Sequence, residues 1–268
     1  MFRQLCWDDY RPHQSFFTYI EREHNIPVSP YYKNFKIERP QPAILVLSPE
    51  RFNYLIYNSE FEESLTPGEQ RIKDIFILGC VTALRFSDLI KLSKSNILTI
   101  NGECYVSNVS QKTSTTTKVK LPTFAHAIVK KHIGRRQQLF TTISLFNFNK
   151  TLKNIGEKAG WTEPIFKTRK RKGQEVVLYK NNAKREHYRF CDLMSSHIMR
   201  RTAITTMLTL GVDETVARKI SGHAPGSAEF HRYVKFSQDF LNHQTNDYFS
   251  KLAQIHVPQK ENTLSLQH

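Results

Sequence analysis

Along most of the chain, apolar positions recur at helical spacing, and the period shortens in two places. Phe16, Phe17 and Ile20 share one side of a helix predicted over residues 13–25. Residues 26–47 then carry Pro27, Pro30, Pro40 and Pro42 with Lys33, Lys36 and Arg39. Proline at this density resists helix and central strand, so the stretch reads as a linker or a surface loop. A helix is predicted from Ser48, which can cap it, with Pro49 in the first helical position. Thr66-Pro67-Gly68-Glu69 is a capping box opening a second helix, whose buried face is Ile72, Ile75, Phe76 and Gly79, up to about Leu84.

Residues 96–121 alternate instead, with the tight-turn pair Asn101-Gly102 between two strands and a third strand, Lys118 to Leu121, ending at Pro122. Helices follow over residues 123–134 and 144–159, the latter stopped by Gly160. The basic run from Lys167 to Lys172 leads into a short apolar segment ending at Tyr179, which suggests a second hairpin with a positive tip. Ser195 or Ser196 caps a helix to Leu210, closed by Gly211. Asp213 caps the next, which ends near Ser221-Gly222. A last helix is predicted from Ser237, with Leu241, Phe249, Leu252 and Ile255 apolar, before a polar tail from His256. The fold class expected is mainly α with a small antiparallel β-sheet, α+β.

The 268 residues include 39% hydrophobic and 12% aromatic side chains, enough for a packed core and unlike a disordered chain. Lys and Arg total 39 against 24 Asp and Glu, a formal charge of +15, and the pI is about 9.7. Such a surplus favours a polyanionic partner, nucleic acid being the commonest, over a merely soluble basic surface. Cys6, Cys80, Cys104 and Cys191 form no CxxC pair, which argues against a zinc ribbon or redox dithiol. Free thiols suit a reducing cytoplasm, with nucleoid association in a prokaryotic cell. The first ten residues hold charges and no apolar run, so no signal peptide is expected, and no stretch has the length of a membrane span.

The segment with chemical content begins at His197 and Arg200, spaced i, i+3 on one helix face. The same spacing occurs at His132 and Arg135, so it carries little by itself. What distinguishes Arg200 lies downstream: His223 follows 23 residues later inside Ser-Gly-His, and Tyr233 ten residues after that. Taken singly, each residue also has an ordinary explanation: a near-cap histidine, a loop histidine, one of 11 tyrosines.

In this order and spacing the residues resemble the tyrosine recombinases of the phage integrase family, which have a His-x-x-Arg helix, a helix–Gly–helix connection, a Gly-His loop and a nucleophilic tyrosine. Thr82-Ala83-Leu84-Arg85, followed by Asp88-Leu89, resembles the family's first arginine motif, with Ala83 for the usual Gly and Asp88 for the usual Glu. Gln111-Lys112-Thr113, before a strand ending at Pro122, resembles the hairpin that carries its lysine, with Lys118 and Lys120 as rivals. The resemblance covers roughly residues 48–250 and implies a catalytic set of Arg85, Lys112, His197, Arg200, His223 and Tyr233, with Tyr248 the rival nucleophile.

The implied chemistry suits these side chains. Attack on a phosphodiester gathers negative charge on the non-bridging oxygens, which guanidinium forks bind two at a time. Arg85 and Arg200 form that clamp, His223 adds a hydrogen bond, His197 assists proton transfer, and Lys112 protonates the leaving 5′ oxygen. A positive pocket is expected to favour the Tyr233 phenolate. The implied product is a 3′-phosphotyrosyl DNA, formed with no cofactor, metal ion or ATP. Lys167, Arg169, Lys170, Arg171 and Lys172 are expected to touch DNA phosphates, against the default of a solvated turn. Arg201 is expected to face away from Arg200, toward a phosphate or a carboxylate.

The resemblance further implies a catalytic domain over residues 48–255. Residues 1–30 then read as a remnant of an N-terminal helical core-binding domain, 31–47 as a linker and 256–268 as a flexible tail. Double-stranded DNA is the implied partner, bound by a homo-tetramer, with DNA-bending accessory proteins in some systems and no membrane. The stretch 237–255 either passes to a neighbouring subunit or packs on its own domain. A type IB topoisomerase and a catalytically silent DNA-binding remnant are the alternatives.

Overall fold

The computed structural model describes residues 7–33, 44–110, 115–134, 137–171 and 174–253. Two compact units emerge, Leu45–Asn149 with Ser195–His268, and Met1–Ile44 with Lys150–Met194.

The larger unit is organised by two helices. α2 (Pro49–Tyr57) and α3 (Ser59–Ser64) lead to α4 (Pro67–Thr82), a short α5 (Phe86–Leu89), and an antiparallel sheet of β1 (Ile97–Ile100), β2 (Glu103–Val109) and β3 (Thr116–Lys120). α6 (Thr123–His132) and the start of α7 (Leu145–Lys158) follow, and the chain returns as α9 (Ser196–Thr209), α10 (Glu214–Ser221) and α11 (Ala228–Ala253). The capping box opens α4: Thr66 Oγ1 accepts from the Glu69 amide at 3.3 Å and Glu69 Oε2 accepts from the Thr66 amide at 2.9 Å. Nearly every residue of α4 from Ile72 on is buried, so this helix is enclosed on all sides and forms the centre of the core.

α9 packs along α4 and is equally buried at Ile198, Met199, Ala203 and Ile204. The two approach closely because Gly79 has no side chain: a Cβ there would lie 2.5 Å from Met199 Sδ and 3.1 Å from Leu89 Cδ2. An ionic cluster fixes the middle of α4, where buried Asp74 meets Lys131 at 2.9 Å and His132 at 2.7 Å. Beside it, buried Lys73 pairs with Glu62 at 2.6 Å. In the sheet, Val106 opposite Val119 faces the core. Asn101 and Gly102, both at positive φ, make the tight turn predicted for them.

The smaller unit contains α1 (Trp7–Glu23), the rest of α7, β4 (Pro164–Ile165), β5 (Lys167–Arg171), β6 (Gln174–Leu178), β7 (Tyr188–Arg189) and α8 (Phe190–Leu193). Leu152 and Ile155 of α7 are fully buried, as are Met194 and nearly so Trp161 and Phe190. Arg189 braces the unit through Glu157 at 2.6 Å and Asp192 at 3.1 Å. β5 and β6 form the second predicted hairpin.

One boundary matters for the chemistry. α11 begins at Ala228, nine residues before the Ser237 start expected from apolar spacing. Ser227 opens it by accepting from the Phe230 amide at 3.3 Å. Tyr233 is therefore held on a helix and not in a loop. The short α3, α5 and α8 were not anticipated either, since four to six residues show no resolvable period.

Gly79→Ala should cost about 1–3 kcal/mol, because overpacking at the crossing outweighs the better helix propensity of alanine. Denaturant unfolding of Gly79→Ala in wild-type and Met199→Ala backgrounds tests the cause. The cost should largely vanish where Met199 has already been removed; an equal cost in both would place the strain elsewhere.

Candidate active site

The site assembles at the ends of four helices. α4 stops at Ala83, which sits in the left-handed region (φ 55°, ψ 15°) and donates its amide to Gly79 O at 3.1 Å. That turn sends the chain into Arg85, the residue preceding α5, whose Nη1 donates to Ser110 Oγ at 3.0 Å beyond the end of β2. From the second turn of α9, Arg200 Nη1 donates to Ala83 O at 2.8 Å. A cation is thus placed on the negative end of the α4 dipole.

α10 ends at Gly222, also left-handed at φ 61°. The next amide, of His223, returns to Arg218 O at 3.1 Å, a glycine-closed helix end. Ser221 gives its hydroxyl proton to Ala217 O at 2.8 Å, so its oxygen accepts from His223 Nδ1–H at 2.8 Å. This tautomer leaves Nε2 as an acceptor, 3.2 Å from Arg200 Nη2, with Nδ1 at 3.3 Å from the same nitrogen. The Tyr233 ring stands 6.0 Å from the His223 ring, and its residue is only 4% exposed. Its hydroxyl donates to Glu229 Oε1 at 3.2 Å, one helical turn earlier on α11.

Four of the residues singled out in the sequence, Arg85, Arg200, His223 and Tyr233, therefore converge. His197 is exposed on the first turn of α9, and no hydrogen bond to the described residues joins it to them. Lys112 lies outside the described residues, but the hairpin that carries it closes at the site. Ser110 N donates to Thr115 O at 2.9 Å, and a Cβ on Gly222 would lie 3.6 Å from Thr117 Cγ2. Lys167 and Arg169 are exposed on β5 in the smaller unit, with Lys167 Nζ 5.2 Å from the Tyr188 ring centre. Lys172 and the side chains of Lys170, Arg171 and Tyr248 lie outside the described residues.

Electrostatics set the protonation states. Burial, and then the charge of Arg85, pull Arg200 down to about 10, still charged at neutral pH. Burial, and then Arg200, pull His223 down to about 4, so its imidazole is neutral at pH 7. Tyr233 moves the opposite way from the sequence expectation. Burial, and then Glu229, raise it, and a hydrogen bond from Arg201 opposes them only in part. Arg201 thus reaches the phenol itself.

Sequence reasoning missed the supporting set: Ser110, Ser221, Arg201 and Glu229. Asp88, which stands where the family usually has Glu, is buried and lends an attractive charge to Arg200. Glu229 and Tyr233 are spaced i, i+4, a signal that becomes visible only once the start of α11 is placed at Ala228. Among the described residues no three His, Cys, Asp or Glu side chains are gathered for a metal ion, and no helix is long and apolar enough to cross a membrane.

The fold is that of tyrosine recombinase catalytic domains. It is similar to XerH site-specific recombinase bound to palindromic difH substrate, at TM-score 0.52 and 14% identity over 76% of this chain and 53% of that one. XerA recombinase aligns at TM-score 0.51 and 16% identity, over 89% of this chain and 76% of that one. The Tn1549 transposon integrase in complex with a circular intermediate DNA reaches TM-score 0.59 at 16% identity, over 86% and 76%. The chain spans 53% and 59% of the length of two XerH chains it matches. No curated protein sequence matches it significantly. Residues 47–239 match the phage integrase family, a span holding every member of the site from Arg85 to Tyr233, and the chain belongs to that family.

Proposed function

We propose that the chain breaks and rejoins DNA strands at specific sites through a covalent 3′-phosphotyrosyl intermediate. The observation that carries this reading is a buried tyrosine beside two arginines and a neutral histidine, all supplied by helix ends. Tyr233 attacks phosphorus, and the negative charge that develops on the non-bridging oxygens falls to the Arg85 and Arg200 forks. Guanidiniums preorganised in this way do not have to reorient as the charge develops; losing one such donor costs roughly a hundredfold to a thousandfold in rate. His223 adds a hydrogen bond from Nε2 once the bound phosphate brings it a second ring proton, Lys112 protonates the leaving 5′ oxygen, and His197 assists proton transfer. The ester conserves the bond energy, so rejoining needs no ATP, and the cations take the place of a metal ion. Double-stranded DNA is the partner, bound by a tetramer on two sites, with the basic β5–β6 hairpin on phosphates.

Nicked suicide duplexes carrying the ends of the encoding element test this directly. A covalent protein–DNA adduct should form in EDTA, map to Tyr233 and vanish in Tyr233→Phe. Arg200→Lys, which keeps the charge and loses the fork, should slow adduct formation by roughly a hundredfold or more. An adduct on another tyrosine would overturn the nucleophile; no adduct from a chain that binds the duplex would overturn the activity.

A pH dependence follows from His223. Free, it is neutral above about pH 4. A phosphate oxygen at Nε2 favours a second ring proton, so the bound state has the higher pKa and binding takes up a proton. At fixed salt, affinity for the target duplex should rise as pH falls from about 7.5 to about 6, and less so in His223→Gln. An identical rise in the variant would assign the uptake to other histidines. For the hairpin, neutralising Lys167, Arg169 and Arg171 together should flatten log K against log [salt] by about 0.9 for each phosphate the hairpin ceases to neutralise. An unchanged slope would leave the run as a solvated turn.

A further inference from the structure

The phenolic proton of Tyr233 needs a destination, and the neighbours of the hydroxyl differ in their capacity to take it. Arg201 can only donate to the oxygen. Both ring nitrogens of His223 are engaged, Nδ1 with Ser221 and Nε2 with Arg200, and its ring centre stands 6.0 Å from that of Tyr233. His197 has no hydrogen bond to the phenol. The acceptor in contact is Glu229 Oε1, 3.2 Å from the hydroxyl. Glu229 and Tyr233 are one turn apart on the same helix, so the contact is fixed by the backbone. Glu229 lies in the first turn of α11.

We propose that Glu229 is the general base that takes the phenolic proton as Tyr233 attacks phosphorus, and returns it when a DNA hydroxyl later displaces the tyrosine. The inference rests on the strand-cleavage reading above. In cleavage, the Tyr233 O–P bond forms and the P–O5′ bond breaks; the phenolic proton passes to Glu229, and the 5′ oxygen takes its proton from a cationic side chain. In rejoining, the DNA hydroxyl returns its proton to the side chain that had protonated the 5′ oxygen and bonds to phosphorus, the Tyr233 O–P bond breaks, and the phenolate recovers its proton from the Glu229 acid. A carboxylate near a phosphodiester is repulsive in isolation. Here it faces Arg200 and Arg201 from α9, and beside them Arg85 and His223, which offset the repulsion. Of these four, only His223 is of a type that titrates near neutrality, and burial keeps it neutral in the free protein.

The test is single-turnover cleavage by Glu229→Gln between about pH 6 and pH 9, on an ordinary suicide duplex and on one with sulfur in place of the bridging 5′ oxygen. The sulfur leaves as a thiolate and needs no acid, so that substrate isolates the nucleophile's side of the reaction. At pH 7 the variant should cleave about 10²-fold slower or worse, and by a similar factor on the sulfur substrate. Its rate should climb nearly tenfold per pH unit, as hydroxide takes over the deprotonation, while the wild-type rate changes far less. A variant as fast as wild type or faster would overturn the proposal and make Glu229 a spectator or a brake on the phenol. A defect that disappears with sulfur would move Glu229 to the leaving-group side and equally overturn it. A variant that binds the duplex but shows no adduct even at pH 9 would also overturn it, because alkali restores a missing base. Wild-type protein that forms no adduct, by contrast, would strike the cleavage reading itself.

Discussion

Burying the Arg200 guanidinium beside a second arginine is the demand around which the catalytic unit is built. A charge taken out of water costs several kcal/mol unless it is paired and hydrogen-bonded. Among the described residues, Arg200 satisfies this without a direct carboxylate salt bridge. It donates to the Ala83 carbonyl at the end of α4, lies against the neutral His223 ring, and draws on the charge of buried Asp88. All three depend on α9 lying close to α4, and that approach depends on Gly79. The Ala83 turn then decides where Arg85 emerges. The family's usual glycine at that position has a physical reason, since φ 55° is strained for any residue with a Cβ. That strain is carried here by a fully buried alanine.

The arrangement leaves the site short of negative charge. Arg85 and Arg200 repel one another, enough to add to the fall of Arg200, and Arg200 in turn suppresses protonation of His223. An incoming phosphodiester relieves both effects at once. Positive charge held in place before the substrate arrives is what makes such donors effective, because no reorganisation is needed as the transition state forms. The tyrosine is the exception to this field. Its burial and its bond to Glu229 keep the phenol protonated, so the nucleophile stays latent although cations surround it.

Much of this was legible in the sequence, and the rest was hidden for identifiable reasons. The capping box at Thr66 and Glu69, the Asn101-Gly102 turn and the basic hairpin are local signals, and each formed where expected. Arg85 and Arg200 are 115 positions apart, and only the order of motifs linked them. Their meeting is a tertiary event set by the Gly79 crossing. The helix α11 starts nine residues before Ser237: Phe230, Tyr233 and Val234 already stand at helical spacing, but they are interrupted by His231, Arg232 and Lys235, and the boundary is marked only by the Ser227 cap. That single boundary concealed Glu229. The phenolate expectation failed because it counted cations and left out desolvation, which acts on Tyr233 more strongly than any one charge.

Stability and chemistry pull this core in different directions. A buried cation held by carbonyls and a neutral imidazole is a poorer stabiliser than a well-packed apolar side chain of the same volume. The surrounding structure absorbs that deficit: α4 is buried nearly all round, and Asp74, Lys131, His132, Lys73 and Glu62 anchor its middle. The middle and the C-terminal end of α4 thus treat charge in opposite ways. At Lys73 and Asp74 each buried charge has an opposite partner, and the cluster is closed. At the Ala83 end the cations outnumber their partners, and the missing anion is the one a DNA strand would supply. The asymmetry along one helix separates the part of the fold that holds its shape from the part that awaits a substrate.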